Sequence, residues 1–113
     1  MNRPLGRQGE ETAVAFLRRH RYRILERNYR TKVGEADIVA RRGRTLFFIE
    51  VKTRTSDRFG LPEESVTPRR ISRLRNCARV YLLQHKIDLP VRFAVVGILQ
   101  GPAGADIRVI PVE

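Results

Sequence analysis

The stretch from Gly34 to Thr53 constrains what this chain can fold into more than any other. It reads Gly-Glu-Ala-Asp-Ile-Val-Ala, then a basic turn, then Leu-Phe-Phe-Ile-Glu-Val-Lys-Thr. Both halves carry the β-branched and aromatic residues of strands, and together they predict a hairpin with a tight turn at Arg42, Gly43 and Arg44. Side chains alternate faces along a strand, so Asp37 projects with Glu35 and Val39, while Glu50 and Lys52 project with Leu46 and Phe48. An acid and a base thus share one face of a strand whose other residues are apolar. Carboxylates in such a place must be paired, hydrogen-bonded or bound to a metal, because burying them otherwise is costly. Spacing alone leaves two explanations open. One is an ion pair within the sheet, with Lys52 answering Glu50 or Asp37; the other is a divalent metal site with a lysine beside it.

Residues Arg7 to His20 carry helical periodicity, with Ala13, Val14 and Leu17 as an apolar stripe and Phe16 on its edge. At 100° per residue Glu10 falls within that stripe, one turn before Ala13 and Val14, whereas Glu11 faces outward. Complementing the helix dipole explains Glu11 and leaves an inward Glu10 unexplained, so Glu10 is a third carboxylate directed at the core. Tyr22 to Arg30 predicts a strand near a sheet edge. Tyr22, Ile24 and Glu26 are expected on one face, with Leu25, Arg27 and Tyr29 on the other.

Periodicity disappears between Arg54 and Val66, which predicts a loop beside the acids, with Arg54 and Arg58 as candidate phosphate contacts. Thr67 and Pro68 mark an N-cap and first helical residue, and the helix is expected to reach His85. Five arginines, Arg69, Arg70, Arg73, Arg75 and Arg79, lie in eleven residues of its first half and form a candidate phosphate-contacting surface, with Arg69, Arg70 and Arg73 nearest the loop. Val91 to Leu99 is an apolar run suited to a buried strand, and Asp106 to Val112 a final edge strand marked by Pro111.

Lysine and arginine number 23 against 12 acids, a net charge of +11 carried mostly by arginine, whose planar fork suits phosphate. Nucleic acid is therefore the expected partner. No stretch of the chain approaches the ~20 apolar residues of a spanning helix, and Met1 to Gly9 lacks an apolar leader, so a cytoplasmic protein with no membrane partner is expected. The length, 113 residues, suits one domain over residues 1–113. Cys77 is the one cysteine, which excludes an internal disulfide, and its place in the second helix's stripe predicts a small buried hydrophobe. His20 and His85, near the predicted ends of the two helices, are explained by contact with those ends.

Helix, three strands, helix and two strands, with Glu10, Asp37, Glu50 and Lys52 as polar residues in apolar positions, suit Mg²⁺ or Mn²⁺ held by oxygen ligands beside a lysine. Asp37 followed by Glu50-Val51-Lys52 resembles the signature of the PD-(D/E)xK nuclease superfamily. The whole chain is similar to the YraN-like family of small bacterial proteins, relatives of archaeal Holliday junction resolvases. The likeness rests on Gly9-Glu10, Ala13, Phe16-Leu17, Asn28-Tyr29, Gly34 to Asp37, Phe48 to Arg54, Phe59-Gly60, Val66-Thr67 and Arg92-Phe93.

The resemblance implies an α/β, restriction-endonuclease-like αβββαβ core with a mixed central sheet flanked by helices. It implies metal ligation by Glu10, Asp37 and Glu50, a catalytic role for Lys52, and endonuclease action on DNA, including branched or junction structures. A homodimer follows by the same analogy. The alternative is a nucleic-acid-binding module, for DNA, RNA or the ribosome, that keeps the fold without turnover. Family members often carry lysine where this chain has Arg70 and an acid where it has Ala94; arginine contacts phosphate but cannot serve as a base.

Overall fold

A computed structural model describes the backbone of residues 4–58 and 60–112 and the side chains of residues 8–58 and 60–112. Phe59, one of the family-like positions, and Met1 to Arg3 therefore lie outside the described residues. The order is α1 (Pro4–Arg19), β1 (Arg23–Arg30), β2 (Glu35–Arg42), β3 (Thr45–Arg54), a short 3₁₀ turn (Pro62–Ser65), α2 (Pro68–His85), β4 (Val91–Gly101) and β5 (Gly104–Val112). Five strands form one sheet in chain order, β1-β2-β3-β4-β5. All neighbours are antiparallel except β3 and β4, which run parallel because α2 carries the chain back across the sheet. This is the expected mixed α/β sheet with a helix on each face. Among the described residues no helix is long and apolar enough to cross a membrane.

Each face has its own core. Ala13, Val14 and Leu17 of α1 pack on Ile38, Ala40, Ile49, Val96 and Ile98. Leu74, Cys77, Ala78 and Tyr81 of α2 pack on Val39, Leu46 and Phe48. Burial of side chains of this size contributes roughly 1.5–3 kcal/mol each, so β2 and β3, which feed both cores, are the best-anchored strands. Cys77 is buried as expected, and burial pushes its thiol up to about 12, leaving it unreactive. Both histidines bond the last turns of their helices: His20 Nδ1 lies 2.8 Å from the Phe16 carbonyl and His85 Nδ1 2.9 Å from that of Tyr81.

Alternation fails in β1. Its register against β2 shifts between Ile24 and Glu26, and Asn28 adopts a left-handed backbone with φ 53°. The extra residue turns Arg27 to the α1 side, contrary to the expected alternation, and the left-handed Asn28 returns Tyr29 to the α2 side, where Leu25 also lies, as expected. The loop after β3 is also less irregular than expected, since Pro62–Ser65 forms the 3₁₀ turn.

The β1–β2 connection is pinned against α2 by a close approach of backbones. Thr31 Oγ1 accepts from the Val33 and Gly34 amides, and a Cβ at Gly34 would overlap the Arg73 carbonyl and crowd the Cys77 amide. Helix backbone cannot yield as a flexible side chain does. Gly34→Ala is therefore expected to destabilise the protein by on the order of 3 kcal/mol, read as a lowered midpoint in thermal or urea unfolding. An unchanged midpoint would contradict this packing.

Candidate functional site

The site forms where β2 leaves β3. Paired register runs from Arg42 and Thr45 to Ile38 and Ile49. At the next position the Asp37 carboxylate takes the place of a backbone acceptor, its Oδ2 receiving the Val51 amide at 2.7 Å. Glu50 is 3% exposed and lies on the α2 side of β3. Its Oε2 accepts from Arg70 of α2 twice, through Nε at 3.1 Å and Nη2 at 2.5 Å, while Lys52 Nζ stands 3.7 Å away. Arg70 Nη1 reaches Glu35 Oε2 at 3.0 Å, and Arg73 Nη2 the other Glu35 oxygen at 3.4 Å.

The electrostatics separate these carboxylates into two kinds. Burial pushes Asp37 above the usual carboxylate range, and the Glu10 charge adds to it, against the pull of the Val51 amide, Arg70 and Lys52. Burial also raises Glu50, with the Asp37 charge as the next cause, against Arg70 and Lys52. Glu35 goes the other way: burial opposes its ionisation, but hydrogen bonds from Arg70 and Arg73 outweigh it and hold the group low. Asp37 and Glu50 thus form a mutually repelling pair that favours an added cation, and Glu35 is already satisfied.

The structure brings Asp37, Glu50 and Lys52 together but does not assemble the expected triad of Glu10, Asp37 and Glu50. Among the described residues no group of three His, Cys, Asp or Glu side chains is placed to hold a metal ion. Glu10 accepts from Asn28 Nδ2 at 3.1 Å and lies 3.8 Å from Arg27, the residue that the β1 bulge turns to the α1 side. Its half-buried carboxylate is close enough to raise Asp37 yet bonded to β1. Mg²⁺ needs only one or two protein carboxylates and keeps several waters, so the pair Asp37 and Glu50 fits such an ion, through hard oxygens whose repulsion it would relieve.

The arginines divide as well. Arg70 and Arg73, expected at phosphate, are committed to Glu50 and Glu35 inside the fold. Arg69 is exposed on α2, Arg54 is half-buried at the end of β3, and Arg58 is exposed in the following loop. The expected arginine surface of α2 is thus partly a set of countercharges, because Arg70 and Arg73, three residues apart, share the face of its first turns that meets Glu35.

One residue escaped the sequence. Glu63 of the 3₁₀ turn sits over Gly97, where any Cβ would run into its carboxylate; Gly97 pairs with Lys52. Its Oε2 lies 3.7 Å from Arg108, while its buried Oε1 has no hydrogen-bond partner. An acid inside an aperiodic loop gives no face to read; the signal was the lone glycine in the apolar run of β4. A cavity of about 780 Å³ lined by Tyr22, Arg42, Phe47 and Arg92, among others, contains none of the acid residues.

A mixed sheet with a helix on each face, and an acid pair with a lysine where two strands part, define a restriction-endonuclease-like α/β protein. The chain belongs to the family described as Uncharacterised protein family UPF0102, the YraN-like family, which matches residues 9–98. It is 50% identical over 100 residues to a UPF0102 protein of Syntrophomonas wolfei, covering 88% of this chain and 87% of the relative. A UPF0102 protein of Christiangramia forsetii is 43% identical over 104 residues, with 92% and 87% covered. One from Geotalea uraniireducens is 47% identical over 100 residues, with 88% and 79% covered.

The raised Asp37 has a thermodynamic consequence. A carboxylate whose folded pKa exceeds its unfolded value binds more protons when folded, so stability falls as pH rises from about 4 through the folded pKa. Asparagine keeps an acceptor for the Val51 amide and removes the charge. Asp37→Asn is expected to raise the melting temperature at pH 7.5 by several degrees, on the order of 1 kcal/mol for a chain of this size. The gain should vanish below about pH 4, where Asp37 is protonated in both states. Scanning calorimetry across pH checks this; a variant that melts lower at every pH would contradict it.

Proposed function

We propose that this protein is a metal-dependent endonuclease that hydrolyses phosphodiester bonds of DNA, with branched structures among its substrates. The observation that supports this most is the pair of buried Glu50 and half-buried Asp37 with Lys52 beside it, in a chain of net charge +11. Asp37 and Glu50 would hold Mg²⁺ or Mn²⁺, which supplies charge neutralisation at the phosphate and an acidified water when bound. Lys52 is one-third exposed, and its flexible stem lets the ammonium meet a non-bridging phosphate oxygen or orient the attacking water while staying near Glu50. Arg54, Arg58 and Arg69 offer the outer contacts that fix the phosphate backbone.

A second function has its own support. The Glu50–Arg70 ion pair satisfies the acid without any added ion, which favours a nucleic-acid-binding module that keeps the fold without turnover. Incubation with nicked, branched and single-stranded DNA separates the two. The nuclease predicts cleavage in Mg²⁺ or Mn²⁺ that chelation abolishes and that Asp37→Ala or Lys52→Ala lowers by roughly 100-fold or more. Steeply salt-dependent binding with no cleavage would establish the binding module in its place, and cleavage that survives both substitutions would exclude this site.

A further inference from the structure

The arginine on Glu50 is the unexpected feature of the site. Two of its nitrogens and the Lys52 ammonium all converge on one oxygen, Glu50 Oε2. The third nitrogen is already on Glu35, which Arg73 holds from its other oxygen. Arginine cannot leave by losing its proton, so the guanidinium stays charged beside the acid pair at every ordinary pH. A second cation arriving at Glu50 meets like charge there. Glu35 offers the guanidinium somewhere to remain without returning to water.

We propose that Arg70 is the resident countercation of the acid pair, competing with a divalent ion for Glu50 and shifting onto Glu35 when the ion binds. This rests on the proposed metal-binding role of Asp37 and Glu50. Arg70 is on this account a positioning residue: it keeps Glu50 ordered and neutralised in the absence of metal and sets the concentration at which metal enters. Lysine at this position would hold Glu50 through a single point of contact and not through two nitrogens of a planar fork. The chain should therefore need more metal than an otherwise identical one with lysine there.

Two measurements on the full chain test this. Calorimetric titration of Mn²⁺ into the wild type, Arg70→Lys and Arg70→Gln should give tighter binding in that order, with Arg70→Gln at least roughly tenfold tighter than wild type. In the wild type, which needs no variant to fold, the Arg70 Nε–H resonance should move on saturation with Mg²⁺ toward the position of a guanidinium released from carboxylate. Equal or weaker Mn²⁺ binding by both variants, with circular dichroism unchanged, would overturn the competition, as would an Arg70 resonance that stays still at saturating Mg²⁺. If wild type binds stoichiometrically in that case, the metal-binding reading survives. Absence of binding in all three proteins would overturn both. Binding by Arg70→Gln alone would support the competition in its strongest form.

Discussion

A carboxylate buried in the middle of a sheet has to be neutralised where it stands, and the arrangement around Glu50 follows from that requirement. Glu50 is the buried charged side chain among the described residues, and Arg70 answers it from α2. That contact fixes how α2 lies along the sheet: Arg70 and Arg73 face Glu35 and Glu50, while one further turn along, Leu74, Cys77 and Ala78 meet Val39, Leu46 and Phe48. The same helix thus carries an apolar contact in its middle and an ionic one near its start. Gly34 closes the arrangement by letting the β1–β2 connection touch the helix backbone between the two.

Strand β3 joins stability to chemistry. Ile49 and Phe48 lie in opposite cores, so the backbone that presents Glu50 and Lys52 is immobilised from both faces. Rigid support of this kind is what a site needs when charges must be held against their own repulsion. Asp37 contributes a second device. By using its carboxylate as the acceptor for Val51, it ends the β2–β3 ladder and stands next to Glu50 at the same time. Burial of Glu50 and half-burial of Asp37 are unfavourable for folding, and under the proposed function they are what would hold a cation.

Much of this was legible in the sequence. The alternation of the hairpin put Glu50 and Lys52 on one face with Leu46 and Phe48, and Thr67-Pro68 marked the start of α2. Glu10, expected as a third carboxylate directed at the core and by resemblance as a metal ligand, instead has partners on β1 that the sequence hides. They depend on a bulge at Leu25 and a left-handed Asn28, neither of which leaves a periodic trace. The fate of Arg70 and Arg73 was hidden for a different reason. An arginine near the apolar stripe of a helix looks the same in sequence whether it lies on solvent or on a buried acid contributed by a distant strand. Glu63 was invisible because its significance comes from Gly97, more than thirty residues away along the chain.

The central proposal is that Asp37 and Glu50 form a cation site in which an arginine holds the place of a metal. Diffraction from crystals grown with Mn²⁺, recorded near the manganese absorption edge, tests it most directly. The account predicts an anomalous peak between the carboxylates of Asp37 and Glu50, with the Arg70 guanidinium drawn off Glu50 and retained on Glu35. A map with no manganese there and Arg70 still seated on Glu50, at Mn²⁺ concentrations far above those that saturate ordinary Mg²⁺ sites, would contradict it and leave Glu50 and Arg70 as a structural salt bridge.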